Sequence, residues 1–288
     1  MSQAHKPRLG AHTFIWADDW TRDNAVLVIE QAAKAGLEVV EIPLLRPGEV
    51  DVDHTKALAS EHDIALTCSL GLPNHATLPE FPDKAETFLK QALDTAAALG
   101  SWCLTGVTYS TIGKLTGGPP TESEYETIAR SLKPVARHAA SLELALGLEP
   151  CNRYETHLLN TGAQTVEMIE RIGEPNLFVH LDTYHMNIEE KGFAGPIQAL
   201  GSHLRYIHLS ESDRGIPGTG NVNWADVFAG LRDINFTVDM VVESFLSVHP
   251  DIAAALSVWR PVAPSVDALV TEGYGFLRRE METASKGG

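Results

Sequence analysis

Four short, largely apolar runs in this chain end on a side chain that can ligate a cation or carry a proton. LALGL runs into Glu149, FVHL into Asp182, RYI into His208 and MVV into Glu243. Alone, each reads more readily as a solvated strand end or a satisfied polar contact. Together they pose a physical problem, because three carboxylates held within a few ångströms repel one another and take up protons. A divalent cation resolves that conflict. Three oxygen donors with one imidazole suit Mn²⁺, Co²⁺ or Mg²⁺ better than a structural zinc, which favours Cys and His.

Whether the four ends meet depends on the elements that carry them. The residues are 33, 26 and 35 positions apart, and each gap fits one strand, one helix and their turns. Strands are expected at Leu9–Trp16, Val39–Ile42, Ile64–Leu70, Trp102–Val107, Leu144–Glu149, Leu177–Asp182, Leu204–Leu209 and Val238–Glu243. Helical segments alternate with them. Pro82–Leu99 repeats Ala85, Phe88, Leu89, Ala92, Leu93 and Ala96 at helical spacing before Gly100. Thr121 and Glu124 form a capping box for a helix to Ser141, with Pro134 expected to kink it. Eight such units predict a single (β/α)8 TIM barrel over residues 1–288, with C-terminal helices at Ile252–Trp259 and Val266–Arg279 packing on it. No GxGxxG follows the first strand, which argues against an open nucleotide-binding sheet. In a parallel barrel all strand C-termini face one mouth, so Glu149, Asp182, His208 and Glu243 should ring it. Alternation puts Glu149 on one face with Gly147 and Ala145, and Glu243 with Val241.

Composition agrees. The 288 residues are 44% hydrophobic with a net charge of −16, which leaves little to bind a nucleic-acid backbone. Three cysteines without a CxxC pair fit a reducing compartment. The N-terminus lacks the apolar core of a signal peptide, and no run approaches a membrane span. A cytoplasmic protein with no membrane partner is expected.

GLEPCNRYETHLLNT (147–161), HLDTYHMNIEE, HLSESDRGIPGTG and VVESF, with the later SVWR, resemble the ketose 3-epimerases. This is the D-tagatose, D-allulose (psicose) and L-ribulose 3-epimerase group of the xylose-isomerase-like barrels. The likeness is dense from Gly147 to Arg260. It implies that Glu149, Asp182, His208 and Glu243 hold Mn²⁺ as first choice, with Co²⁺ or Mg²⁺ as alternatives. It also implies that Glu155, His185 and Arg214 bind a small ketose, and that the protein is a homodimer or homotetramer. Alone, Arg214 also reads as a surface ion pair and Glu155 as a loop cap.

The chemistry implied is inversion at C3. That hydrogen is acidic beside the C2 carbonyl, and a cation on O2 and O3 stabilises the cis-enediolate left by its removal. Returning a proton to the opposite face needs two carriers, which Glu149 and Glu243 supply. An aldose–ketose or hydroxypyruvate isomerase on the same barrel needs one base only. An abasic-site endonuclease would want more histidines and a basic groove, and a sugar-binding module would not need opposed carboxylates. His180 reads as a support for the metal site or a core histidine, Glu41 as a structural hydrogen-bonding carboxylate and Cys151 as a small buried residue. Trp16 and Phe245 are expected in the core or against the sugar's carbon skeleton. GIPGTG (215–220) reads as a tight turn holding Arg214, with a phosphate cradle as the lesser alternative. The segments 73–82 and 108–120 are expected at the mouth, where they would set substrate length.

Overall fold

Each apolar run pairs in parallel with the next, and the last closes on the first. The computed structural model describes residues 7–247 and 250–286. Its strands are β1 (Leu9–His12), β2 (Val39–Pro43), β3 (Ala65–Gly71), β4 (Cys103–Val107), β5 (Ala145–Leu148), β6 (Leu177–Asp182), β7 (Leu204–His208) and β8 (Met240–Val242). They form one closed barrel in sequence order. Closure is made by β1 on β8, with Leu9 opposite Met240 and Ala11 opposite Val242. This is the expected (β/α)8 TIM barrel. Among the described residues no helix is long and apolar enough to cross a membrane.

Helices cover the outside because each carries one apolar stripe. In Pro82–Leu99, the residues Ala85, Leu89, Ala92, Leu93, Ala96 and Leu99 are buried, and Gly100 ends the helix at φ 82°. Burying each such leucine contributes about 1.5–3 kcal/mol relative to exposure. The capping box of Thr121 and Glu124 is formed, and the helix Glu122–Ser141 runs through Pro134.

Side chains of alternate residues fill the barrel in layers. Val39, Cys103, Ala145, Phe178, Tyr206 and Val241 form the lower one. Above it Thr67 meets Tyr206, and Thr105 meets His180, across the interior. Gly147 lies in this middle layer, where an added Cβ would come within 2.1 Å of Thr105 Oγ1 and 2.6 Å of the Phe178 ring. The next step up β5 is Glu149. The expected parity is therefore the observed one, and the charged side chains form the top layer.

Three local expectations change. β1 stops at His12, and Thr13–Ile15 form a 3₁₀ turn whose first free N–H is capped by the His12 ring. That turn carries Phe14, not Trp16, into the mouth. A seven-residue helix, Thr183–Glu189, follows β6 directly. It is too short for periodicity to reveal, but Asp182 caps it by accepting from Tyr184 N at 2.7 Å. Beyond β8 the helix is Pro250–Ala255, and a π-helical turn, Leu269–Gly273, separates Val266–Ala268 from Tyr274–Lys286.

Filling the middle layer should be costly. Gly147→Ala is expected to lower the unfolding free energy by about 1–3 kcal/mol through overpacking. Denaturant titration measures it, and an unchanged midpoint would mean that the interior is looser than its contacts.

Candidate active site

The four strand ends do meet. One ligand atom from each of Glu149, Asp182, His208 and Glu243 lies within 4.8 Å of the others. His208 Nδ1 is at the centre, 3.8 Å from Glu149 Oε1 and Asp182 Oδ2 and 3.5 Å from Glu243 Oε2. In-register pairing of Asp182 with His208 brings β6 and β7 to the same height. Glu149 and Glu243 each stand one residue beyond their strands.

The buried Glu41 decides how His208 presents itself. Its Oε2 lies 2.9 Å from His208 Nε2 and accepts from the Tyr206 hydroxyl at 2.6 Å, which in turn meets Thr67 Oγ1 at 2.7 Å. An acceptor there keeps the proton on Nε2 and turns the Nδ1 lone pair into the site. His208 Nδ1 is buried with no well-formed hydrogen bond. An unpartnered lone pair facing three carboxylates is the arrangement a divalent cation completes, so this donor set fits one. Glu41 thus takes the structural role expected of it. Burial opposes its charge, yet His208 holds its carboxyl down at about 2.

Two other groupings share these donors: Glu149 with His180 and His208, and Glu149 with Cys151 and His185. His180 Nδ1 is 3.0 Å from Thr105 Oγ1, and its ring meets that of His208 edge-on. The Cys151 thiol is pushed far up by burial and by Glu149, so it is no nucleophile.

The remaining predicted residues sit directly above. Arg214 Nη1 is 2.5 Å from both Asp182 Oδ2 and Glu243 Oε2. Its guanidinium lies 4.0 Å from the centre of the Tyr184 ring and 4.8 Å from that of Phe245. Arg214 is therefore a buried bridge between candidate metal ligands, not a surface pair. His185 sits on the short helix after β6, with Nε2 3.8 Å from Glu149 Oε1. Glu155 is buried, and its Oε2 has no hydrogen-bond partner.

Burial and neighbours drive the two glutamates apart. Burial, with the charges of Glu243 and Asp182, pushes Glu149 well above the usual carboxylate range. Burial acts on Glu243 as well, but His208 and Arg214 outweigh it and hold that group well below. Burial also raises Glu155, to about 7, against the pull of Arg214.

The mouth is a cavity of about 580 Å³, within the usual range for a small-molecule site. Phe14 and Phe245 line it, as do Ile112 and Asn74 from the two expected mouth loops. Two residues escaped the sequence reading. Glu211 accepts from the backbone N–H groups of Ser212, Gly218 and Val222 and from Trp224 Nε1. It fills the amide cradle of the GIPGTG turn with the chain's own carboxylate. Asn152 sits between Glu155 and His185. Its position just past a strand end was the only signal available in the sequence. For Glu211, that signal was an acidic residue ahead of a glycine-rich run.

Residues 29–262 match the family model described as the xylose isomerase-like TIM barrel. The chain is 38% identical to an L-ribulose 3-epimerase of Methylomonas sp. (strain DH-1), across 94% of this chain and 96% of that one. It is 35% identical to a ketose 3-epimerase of Arthrobacter globiformis, across 95% and 96%. The solved structure of a D-allulose 3-epimerase from Methylomonas sp. in complex with D-allulose superposes with a TM-score of 0.91, at 36% identity over 97% of this chain and 99% of that one.

Glu155 carries a pH signature. Its carboxyl rises from an ordinary value of 4.5 to about 7 on burial. The folded state therefore holds this proton more tightly than the unfolded state. The stabilisation is complete below about pH 4.5 and is lost as pH rises through 7. In metal-free protein, Glu155→Gln should gain on the order of 3 kcal/mol over wild type at pH 8, at about 1.4 kcal/mol per pKa unit. The gain should vanish near pH 4. Denaturant unfolding at both pH values measures it, and a pH-independent difference would count against a buried, proton-hungry Glu155.

Proposed function

The chain belongs to the ketose 3-epimerases of the xylose isomerase-like TIM barrel family and is a sugar epimerase, and on that premise we propose that it inverts C3 of a free five- or six-carbon ketose of the ribulose, allulose or tagatose type. The observation that carries the reading is the pair of glutamates, converging from β5 and β8 on one candidate cation-binding point.

The C3 hydrogen is removable because the C2 carbonyl accepts the resulting charge as a cis-enediolate. A divalent cation bound by Glu149, Asp182, His208 and Glu243 would supply Lewis acidity, and Mn²⁺ is our first choice from an oxygen-rich set with one imidazole. Glu243, paired with Arg214, takes the proton from one face of C3. Glu149 returns one to the other face. In the reverse direction the two exchange roles. Arg214 and His185 place donors beside the developing oxyanion, while Glu155 Oε2 is a buried acceptor for a hydroxyl.

A free sugar fits better than a phosphorylated one. The amides of the glycine-rich turn after β7 are occupied by Glu211. At the outer rim Arg46 is already paired with Asp19 at 3.0 Å and Glu49 at 2.8 Å. Three buried, unpaired cysteines support placing the enzyme in the cytoplasm. An aldose–ketose isomerase would use only one of the two glutamates as a proton carrier.

Turnover of a ketose panel by the Mn²⁺-loaded enzyme in D₂O should deliver deuterium to C3 of a new epimer. Deuterium at C1 of an aldose product would replace this reading with the isomerase. Glu149→Gln and Glu243→Gln should each lower kcat by about 10³-fold or more, and a Glu243→Gln variant that turns over normally would exclude the two-base scheme. Chelation should abolish activity and added Mn²⁺ restore it; activity that survives chelation would remove the cation from the reaction.

A further inference from the structure

Asn152 is 1% exposed and touches neither the candidate metal ligands nor the open cavity. Its amide nevertheless reaches both side chains that flank the site. Nδ2 is 2.8 Å from Glu155 Oε1 and 3.0 Å from His185 Nδ1. The orientation of the amide is settled by its third contact. Oδ1 accepts from Tyr154 N at 2.9 Å, and a backbone N–H can only donate, so the opposite end is the NH₂ group.

The backbone of the same residue acts in the same sense. Asn152 N–H donates to His185 Nδ1 at 3.1 Å. Two donors from one residue thus converge on Nδ1, and one of them cannot be turned round. Nδ1 must be bare, and the proton of the neutral ring lies on Nε2. Among the described residues the competing donor is Arg214 Nη2, at 3.4 Å from Nε2, a single long contact against two short ones. Nε2 lies 3.8 Å from Glu149 Oε1, and His185 lines the cavity. At the other end of the amide, Glu155 has one oxygen engaged and the other, Oε2, buried without a partner.

We propose that Asn152 is a positioning residue that sets the hydrogen-bond polarity of the sugar cradle, holding His185 as an Nε2–H donor and Glu155 with one oxygen free as an acceptor. A donor beside an acceptor matches a carbonyl oxygen beside a hydroxyl, the head of a ketose. With the polarity reversed, lone pairs would face lone pairs. The role in turnover rests on the epimerase reading above, whereas the tautomer does not, and the two arms of the test separate them.

In the full chain labelled with ¹⁵N-histidine and loaded with diamagnetic Mg²⁺, the His185 ring is identified as the one lost in His185→Gln. It should show a protonated Nε2 and a bare Nδ1. A proton on Nδ1 would overturn the proposal whatever the enzyme's substrate. The second arm compares Asn152→Asp with Asn152→Ala. Aspartate keeps the size of the side chain and the acceptor for Tyr154 N–H, but it places an oxygen opposite Glu155 and His185. We expect Asn152→Asp to lower kcat/KM for the ketose by about 100-fold or more, and further than Asn152→Ala. If position 152 only fills space, the order reverses, because the truncation then does the greater damage. That order, or a kcat/KM for Asn152→Asp within about threefold of wild type, would sink the idea.

Discussion

Repulsion among buried carboxylates is the constraint on which the upper half of this barrel depends. Glu41, Glu149 and Asp182 are buried around a single imidazole, with the partly exposed Glu243 beside them. Charges so placed are tolerable only if each is paired, hydrogen-bonded or neutralised. The structure uses each device in turn. Glu41 takes two hydrogen bonds, from Tyr206 and His208. Arg214 bridges Asp182 and Glu243. Glu149 has neither and is driven toward its protonated form. One guanidinium does not balance the set, and this residual negative charge is what a divalent cation would meet.

The loops beyond the strands follow from that constraint. Arg214 reaches its carboxylates only because its own backbone is held at φ 64°, a left-handed conformation that favours glycine. Three contacts support it there: its N–H bonds to Glu211 O, Ser244 Oγ donates to its carbonyl, and the Glu211 carboxylate gathers the turn that follows. Asn152 serves the opposite side in the same manner. In both places a buried polar side chain with no contact to the candidate metal ligands orients a residue that has one. The barrel's lower layer, from Val39 to Val241, is apolar and acts as a rigid base.

Eight strand signals, their spacing and the charged residue at each of four ends are local properties of the chain. They suffice to predict a parallel barrel, its mouth and the four residues that ring it, because parallel strands deliver equivalent ends to one face. Side-chain alternation is local too, so the inward parity of Glu149 and Glu243 was legible from Gly147 and Val241. The short helix Thr183–Glu189 was not, since seven residues carry too little periodicity to separate a helix from a loop. Trp16 takes the first of its two expected places, against the core, and not the mouth, for a related reason. Only pairing shows that β1 ends at His12, and the turn that follows shifts the aromatic at the mouth to Phe14.

What the sequence determined by itself was which groups could do chemistry and that they share a rim. Which way their protons and lone pairs point was decided by tertiary structure alone. Glu41 lies 167 residues from His208 along the chain, and His185 lies 33 from Asn152. No local pattern encodes those meetings. They exist because closing the barrel brings distant strands within a hydrogen bond's length, and the free energy of a buried proton depends on the partner at that distance.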